Sequence, residues 1–318
     1  MSDEHIIGVD CFGARCTIAA TCSEPSIGAA VGAAQFLLEC HSRLSRFLPD
    51  SELSRLNADP RETVPVSPLM RDFAIAARRA AELSDGLVDP TILPALQRAG
   101  YITSMKGMAR PAAPAPAPPV RASGAPDPAA SWKQIEIDPV TCTISRPPGI
   151  GIDSGGVAKG WAADRAGRML ASHPTYAVEC AGDLRVGGTA RAPRTVRIAD
   201  PRAERNEGAD PLTTISIVSG GVATSGIGKR SWIGPEGEAA HHLIDPASGR
   251  PCFSGVVQAT ALAPTAEEAE MRAKCAVLAG PDEASRWLPH GGLLVLDDDS
   301  IVDLLPAAAG DAPEEVVA

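Results

Sequence analysis

A glycine turn near the middle of the chain, followed by a helix, constrains the fold more than any other segment. It covers residues 152–164 and reads IDSGGVAKGWAAD. Gly155 and Gly156 allow backbone conformations that other residues avoid, and they let another molecule approach the main chain closely. The spacing of the small and apolar residues that follow predicts a helix over residues 157–170. One face of this helix then carries Ala158, Ala162, Ala166 and Met169.

A helix that starts directly after two glycines suits a phosphate group. The free N–H groups of its first turn and the helix dipole attract anions, and Lys159 adds a full positive charge. The alternative is an ordinary helix that a loop caps, with Lys159 in solvent. This segment by itself leaves both interpretations open.

The charge and the cysteines narrow the class of protein. A formal charge of -10 over 318 residues argues against a nucleic-acid partner or an acidic membrane surface. The eight cysteines form no Cys-x-x-Cys pair, so zinc-site spacing is absent and most are predicted to be buried thiols in a reducing cytosol. The N-terminus shows no basic region before an apolar run, so we expect no signal peptide or membrane segment, and a cytoplasmic location.

The order of the predicted elements indicates the fold class. Strands and helices do not alternate strictly, and several strands follow one another through hairpins. This order favours an α+β fold with mixed, largely antiparallel sheets flanked by helices. Residues 109–130 are rich in proline and alanine and are predicted to be an extended, mobile insertion. Residues 307–318 are predicted to be a disordered tail, which leaves 1–306 as one domain made of two intertwined subdomains.

Several further turns contain the glycine, aspartate or hydroxyl residues that binding sites use. Each of them alone is most simply explained as turn chemistry. Thr224 and Ser225 offer hydroxyl and backbone N–H groups to an anion, although Thr-Ser-Gly is common in loops. The turns in question are residues 86–91, 181–183, 222–226 and 242–245.

Taken together and in this order, these segments resemble the FAD:protein FMN transferase family, the ApbE-type flavin transferases. The resemblance covers about residues 8 to 305 and implies an ApbE-like flavin transferase fold. The motifs that carry it are Phe47-x-Pro49-Asp-Ser-Glu-Leu-Ser-Arg-Leu-Asn57, Gly86-x-x-Asp89-Pro-Thr91, Asp153-x-Gly-Gly-x-Ala-Lys159-Gly-x-Ala-x-Asp164, Ala181-Gly-Asp183, Val222-Ala-Thr-Ser-Gly226, His242-Leu-Ile-Asp245-Pro-x-x-Gly249 and Ala263-Pro-Thr265-x-x-x-Ala269.

The resemblance implies an activity and its partners. Members of the family bind FAD and, with Mg²⁺, move its FMN half onto a Thr or Ser hydroxyl of a target flavoprotein, with AMP as the leaving group. We therefore expect an enzyme, a transferase with FAD as its substrate. Two alternatives stay open, a non-catalytic FAD-binding protein and an FAD pyrophosphatase in which water replaces the protein hydroxyl.

The resemblance also assigns residues to the FAD site. An aromatic ring at Phe47 can lie against the flavin face. The positions implied to bind the cofactor are Phe12, Phe47, Leu87, Val88, Asp89, Asp153, Lys159, Asp183, Thr224, Ser225 and Leu243.

Two residues of the His-x-Ile-Asp-Pro element are candidates for catalysis. His242 and Asp245 could orient the target hydroxyl or accept its proton, and histidine has the suitable pKa range. We make this assignment from the chemistry of the side chains.

The implied metal site departs from the family pattern. Its ligands would be the backbone carbonyl of Gly156 and an Asp and a Thr or Ser four residues apart on the helix after Ala-Pro-Thr. This chain has Glu270 and Lys274 there. Glutamate can bind Mg²⁺, whereas a charged lysine cannot. Either Lys274 acts as a fixed catalytic cation beside Glu270, or metal binding is lost and transfer is slow or absent. Lys229 and Arg230 could add compensating positive charge, or they could simply face solvent.

Overall fold

An antiparallel sheet lies at the centre of the computed structural model, which describes residues 3–22, 27–104, 120–203 and 210–306. Within those residues, eight strands pair in the order β1-β2-β6-β7-β10-β15-β16-β17. Smaller sheets pair β3-β5-β4, β8-β9, β11-β12 and β13-β14. The strands are β1 (Asp3–Cys11), β2 (Ala14–Cys22), β3 (Thr63–Pro65), β4 (Glu136–Asp138), β5 (Thr143–Ser145), β6 (Tyr176–Cys180), β7 (Asp183–Gly187), β8 (Arg194–Ala199), β9 (Pro211–Ile217), β10 (Gly220–Gly226), β11 (Ser231–Ile233), β12 (Ala239–His241), β13 (Ile244–Asp245), β14 (Arg250–Pro251), β15 (Val256–Ala263), β16 (Gly292–Leu296) and β17 (Ile301–Asp303).

Helices pack on one face of this sheet. Helix α5 contacts both α1 and α6, and all three helices contact strands of the sheet. The largest core lies between these layers. The helices are α1 (Ile27–Leu44), α2 (Glu52–Ala58), α3 (Pro68–Leu83), α4 (Leu93–Arg98), α5 (Ala158–Met169), α6 (Ala266–Ala279) and α7 (Pro281–Ala284).

The β8-β9 ribbon covers part of the opposite face. Ile217 of β9 packs against Leu184 and Val186 of β7. The Gln258 amide of β15 donates to the Ala199 carbonyl of β8 at 2.9 Å. The two faces of the sheet therefore have different neighbours, and the direction of each strand side chain decides which neighbours it meets.

The predicted fold class is confirmed. The sheets are flanked by helices, and all strand pairs in the described ranges are antiparallel. The central helix has the predicted position, and Ala158, Ala162 and Ala166 are buried. Met169 also reaches helix α1, since a Cβ at Gly32 would lie 3.2 Å from its Cε atom. It is 43% exposed because it is the last residue of α5.

The Pro/Ala-rich insertion lies partly outside the described residues, since 105–119 are not among them. Residues 120–130 are described and contain no helix or strand, and the mobility of the segment stays a prediction. The Ala122 N–H donates to the Phe253 carbonyl at 3.0 Å, and the Gly124 N–H donates to the Leu278 carbonyl at 2.7 Å. These backbone hydrogen bonds dock the segment on the body of the protein.

The tail at 307–318 lies outside the described residues, and the division of 1–306 into two intertwined subdomains stays a prediction. In the described part of the chain, every helix is too short or too polar to cross a membrane.

Candidate functional site

The central glycine turn is fixed to three other segments by hydrogen bonds. The Asn57 amide bonds both the N–H and the carbonyl of Ile152, each at 2.8 Å. The Asp153 N–H donates to the Pro90 carbonyl at 2.7 Å, and the Ser154 hydroxyl donates to the Leu44 carbonyl at 2.7 Å. The turn is therefore held in place from the end of α1, from α2 and from the loop before α4.

Several predicted FAD-binding residues meet at this turn. The Asp153 carboxylate accepts the Gly155 N–H at 2.8 Å. A Cβ at Gly156 would lie 3.4 Å from Val88, so these two residues are in contact. Leu87 and Asp89 flank Val88 and are also buried. Burial raises the pKa of Asp89, while hydrogen bonds from Thr91 counteract the shift.

Four charged side chains, Lys159, Asp183, Glu270 and Lys274, form a buried charge cluster beside the first turn of α5. The Oε1 atom of Glu270 lies 2.8 Å from Nζ of Lys159 and 2.8 Å from Nζ of Lys274. Lys159 also forms an ion pair with Asp183. The other oxygen of Glu270 accepts the Gly160 N–H at 2.9 Å. The structure thus brings together four residues that the sequence predicted for the site.

The neighbours in the charge cluster set the protonation of its members. Burial raises the pKa of Asp183 to about 7, and the Glu270 charge adds to this effect. Burial also acts to raise the pKa of Glu270, but the two ammonium groups outweigh it and hold the value at about 2. For Lys159, burial acts against the charge, and the two carboxylates reverse this so that its pKa rises. Burial lowers the pKa of Lys274 despite Glu270.

The close approach of α5 and α6 explains how the charge cluster forms. A Cβ at Gly160 would lie 2.4 Å from the Ala266 carbonyl oxygen, so only glycine fits there. The Asp164 carboxylate accepts the N–H groups of Ala266 at 3.0 Å and Glu267 at 2.9 Å. These bonds satisfy free N–H groups at the start of α6. They fix this end of α6 against α5, and Glu270 follows one turn later.

The charge cluster does not fit the magnesium ion that the resemblance implies. Mg²⁺ requires about six oxygen ligands in octahedral geometry. Both Glu270 oxygens already accept hydrogen bonds, and Lys274 has no lone pair to offer while it is charged. Across the described ranges, no group of three or more His, Cys, Asp or Glu side chains could hold a metal. The geometry favours the interpretation of Lys274 as a fixed cation over metal roles for Gly156 and Glu270.

An aromatic cluster lies on another side of the central turn, and the sequence analysis missed most of it. Phe47, which was predicted, packs edge-on against Tyr101 at 5.3 Å, and Tyr101 stacks on Trp232 at 5.1 Å. The Arg46 guanidinium lies 4.2 Å from the Phe47 ring centre and 4.4 Å from that of Tyr101. Its Nε is 3.0 Å from the Asp153 carboxylate. Aromatic residues make up only 3% of the sequence, and this scarcity is the one sequence feature that could have marked Tyr101 and Trp232 as candidates for the site.

Two adjacent histidines lie at the end of β12, His241 as its last residue and His242 in the connection to β13. Burial lowers the pKa of His241 to about 4. Burial also lowers the pKa of His242 well below its ordinary value, and the charges of Arg230 and Lys274 add to the effect. The Nδ1 atom of His242 is buried and has no hydrogen-bond partner among the described residues. His242 is therefore a neutral imidazole, and Lys274 is near enough to affect it.

The two other predicted residues of this element have structural contacts. Leu243 is buried in the main core, and its N–H donates to Nδ1 of His241 at 3.3 Å. The Asp245 carboxylate accepts N–H groups from Ala125 at 2.8 Å, Ala247 at 3.2 Å and Ser248 at 3.1 Å. Asp245 therefore orders its own turn and binds the docked insertion. Its catalytic role stays a prediction.

Strand register separates the two predicted hydroxyl residues. Asp183 lies opposite Ala223 in the β7-β10 pair, so both point to the helix-covered face. Ser225 shares that face. Thr224 points to the other face, where its hydroxyl bonds Thr260 at 2.9 Å. The structure thus places Thr224 away from the charge cluster.

The predicted flavin-binding residue Phe12 contacts His41 of α1. It lies at the β1-β2 turn with a φ of 52°. Its N–H donates to Nδ1 of His41 at 3.2 Å, and the two rings pack edge-on at 5.7 Å. Its predicted contact with the flavin stays a prediction.

Comparisons with known proteins agree with this fold. The sequence profile of the ApbE family matches residues 12–296, so the chain belongs to the ApbE family. The chain is 27% identical to the FAD:protein FMN transferase of Escherichia coli K12 over 255 residues, which are 79% of this chain and 71% of that protein. It is 25% identical to the Haemophilus influenzae FAD:protein FMN transferase over 277 residues, 81% of this chain and 75% of the relative. These relatives are transferases.

Solved structures show the same fold. The ApbE protein of Thermotoga maritima superposes with a TM-score of 0.75 at 25% identity, over 95% of this chain and 97% of the other. The apo flavinyl transferase ApbE of Pseudomonas stutzeri superposes with a TM-score of 0.70 at 20% identity, over 93% and 92% of the two chains. The predicted family and its fold are confirmed.

Proposed function

We propose that this chain binds FAD with the pyrophosphate at the central glycine turn and transfers the FMN half to a Thr or Ser hydroxyl of a target flavoprotein. The observation that carries the proposal is the charge cluster, which holds two ammonium groups beside the first turn of α5. The curated relatives, which are named FAD:protein FMN transferases, support the same reaction.

The N-terminus of α5 is suited to a phosphate. Val157 is its N-cap and makes no side-chain capping bond. The Ala158 N–H donates to the Ser154 carbonyl and the Gly160 N–H to Glu270, so among the described residues the Lys159 N–H is the one in the first turn that stays open to a ligand. Lys159 lies in that turn, and Val88 and Asp153 lie next to it. With the pyrophosphate there, the aromatic cluster around Phe47 offers ring faces to the flavin.

The transfer step is a substitution at phosphorus without any redox change. The acceptor hydroxyl oxygen forms a bond to the FMN phosphorus, and the bond from that phosphorus to the bridging oxygen breaks. AMP leaves with the bridging oxygen and its electron pair. Enzymes accelerate such steps by positioning the groups and by placing positive charge at the phosphate oxygens, which is the part we assign to Lys159 and Lys274.

The acceptor hydroxyl must also lose its proton. His242 is neutral, and its Nδ1 is free of partners among the described residues, so it has the lone pair that a general base requires. Asp245 would act by holding the turn after His242 in position. No step of this proposal needs a magnesium ion.

A cytoplasmic location is part of the proposal. All eight cysteines lie in the described residues as free thiols, which fits a reducing compartment. The net charge of -10 fits a protein acceptor better than a nucleic acid.

The direct test is to incubate the chain with FAD and a flavoprotein acceptor, denature the mixture, and measure the acceptor mass and the released AMP. We expect one covalently bound FMN for each AMP. AMP and free FMN formed without an acceptor would indicate a pyrophosphatase instead. FAD binding without AMP release would indicate a non-catalytic binding protein.

A further inference from the structure

Glu270 and Lys274 lie one turn apart on α6, at the place where this helix meets the first turn of α5. Glu270 is fully buried, and Lys274 is 7% exposed. Glu270 is held by the Gly160 N–H and by both ammonium groups. The position of the Lys274 ammonium is therefore fixed by the fold before any ligand arrives.

We infer that the Lys274 ammonium is the cation that faces the FAD pyrophosphate in this chain, and that FMN transfer proceeds without a divalent metal. The inference rests on the proposed function, because it concerns the same reaction at the same turn. It goes further by replacing the ion that the family resemblance implies with a side chain of this protein.

The hydrogen bonds within the charge cluster leave Lys274 free to bind an anion. Lys159 bridges both carboxylates, since it contacts Asp183 and Glu270. In the described residues Lys274 has one hydrogen-bond partner, Glu270, at 2.8 Å. An ammonium group has three N–H donors, so two remain for phosphate oxygens.

Glu270 holds Lys274 beside the proposed phosphate site. One Glu270 oxygen accepts the Gly160 N–H in the first turn of α5 at 2.9 Å, and the other accepts from Nζ of Lys274 at 2.8 Å. The Lys274 ammonium is therefore held next to the helix start at which the pyrophosphate is proposed to bind. Its charge also helps to lower the pKa of His242.

The first test measures metal binding and requires no catalysis. Mn²⁺ is titrated into the full chain with saturating FAD, and free Mn²⁺ is followed by electron paramagnetic resonance, with FAD alone as the reference. We expect the chain to add no Mn²⁺ binding beyond that of FAD. Stoichiometric binding of one Mn²⁺ per chain would overturn the inference.

The second test restores the side chains that the resemblance implies, with the double substitution Glu270→Asp and Lys274→Thr. This variant should gain a Mn²⁺ site in the same titration. If it binds no metal while wild type does, the inference is wrong. A folding defect in the variant, checked by circular dichroism, would leave the wild-type titration to decide.

The third test measures transfer to the acceptor with EDTA and with Mg²⁺. Wild type should react at rates equal within about twofold. Lys274→Met should lower the rate by about 10²–10³-fold under both conditions, the loss typical of removing one group that stabilises transition-state charge. Lys133→Met, at an exposed lysine, is the control and should react like wild type. Abolition by EDTA, or a wild-type rate in Lys274→Met, would contradict the inference.

The outcomes separate the two proposals. If no condition yields covalent FMN, the proposed function fails, and the Mn²⁺ titration still decides whether a metal or the ammonium occupies the site. If covalent FMN forms only with Mg²⁺, the proposed function stands and the inference about Lys274 fails.

Discussion

The charge cluster and the pair His241–His242 both remove titratable side chains from solvent, but the two lysines of the cluster are charged whereas the two histidines are neutral. In the charge cluster, each ammonium is paired with a carboxylate at close range, which stabilises its charge against burial. Of the two imidazoles, His241 is buried and His242 half-buried. Neither has a carboxylate partner among the described residues, and desolvation lowers the pKa of both so that they stay neutral. The difference indicates a division of labour, in which one region supplies fixed positive charge and the other supplies a lone pair.

The largest expected effect on catalysis comes from changing His242, one of the two neutral histidines. His242→Gln removes the proposed proton acceptor, and general-base catalysis typically contributes 10²–10⁴-fold. We expect the rate of covalent FMN formation to fall by about that factor, with the FAD dissociation constant changed less than about threefold. Single-turnover transfer and FAD fluorescence measure the two quantities. An unchanged transfer rate would remove His242 from the mechanism.

The next largest effect is on stability and comes from changing Glu270 in the charge cluster. Glu270→Gln leaves two buried ammonium groups without the carboxylate that both contact, and breaking a buried pair in this way costs about 3–5 kcal/mol. Urea unfolding measures the loss. The matched control on the same helix is Glu268→Gln, which disturbs a partly exposed pair with Arg272 and should cost less than about 1 kcal/mol. Equal losses would show that the charge cluster is not specially dependent on Glu270.

The pH dependence of stability tests the neutral state of the histidines. The pKa of His241 is lowered from 6.5 to about 4 in the folded chain, so between these values the unfolded chain binds more protons. Stability should therefore fall as the pH drops from 6.5 toward 4, by up to about 1.4 kcal/mol per pH unit for each such histidine. His241→Phe should flatten this slope. His290→Gln, at a side chain that is 44% exposed, controls for the loss of a histidine; an equal flattening there would contradict the account.

The smallest effect concerns the aromatic cluster. Arg46→Lys keeps the charge near Asp153 and loses the planar contact with two rings, and such contacts contribute about 0.5–2 kcal/mol. We expect the FAD dissociation constant to rise about tenfold, which is about 1.4 kcal/mol. The control is Arg55→Lys, at an exposed arginine. An unchanged affinity in Arg46→Lys would remove this residue from the site.

Local sequence predicted the elements whose signals are short-range. A threonine with a glutamate three residues later is a local signature of a helix N-cap, and Thr265 is one example, since its hydroxyl accepts the Glu268 N–H at 3.2 Å. The glycine turn before α5 is another. Both depend on residues within a few positions of each other, so the pattern contains all the information needed.

Local sequence patterns could not predict the features that depend on contacts between residues far apart in the chain. Arg46 looked like any other arginine, and only the fold buries it between two rings. Thr224 and Ser225 were treated alike, but the register of β10 sends their side chains to opposite faces. The composition of residues 120–130 gave no sign of their partners, yet the N–H groups of Ala122 and Gly124 donate to Phe253 and to Leu278 of α6, more than 100 residues away.

A crystal structure of the chain with FAD, grown with Mn²⁺ and measured for its anomalous signal, tests the central claim most directly. The account predicts Nζ of Lys274 within about 2.7–3.2 Å of a pyrophosphate oxygen, with Glu270 still bound to both ammonium groups and no Mn²⁺ peak between Glu270 and the phosphates. A Mn²⁺ peak at that position, or a pyrophosphate bound away from the α5 N-terminus, would contradict it.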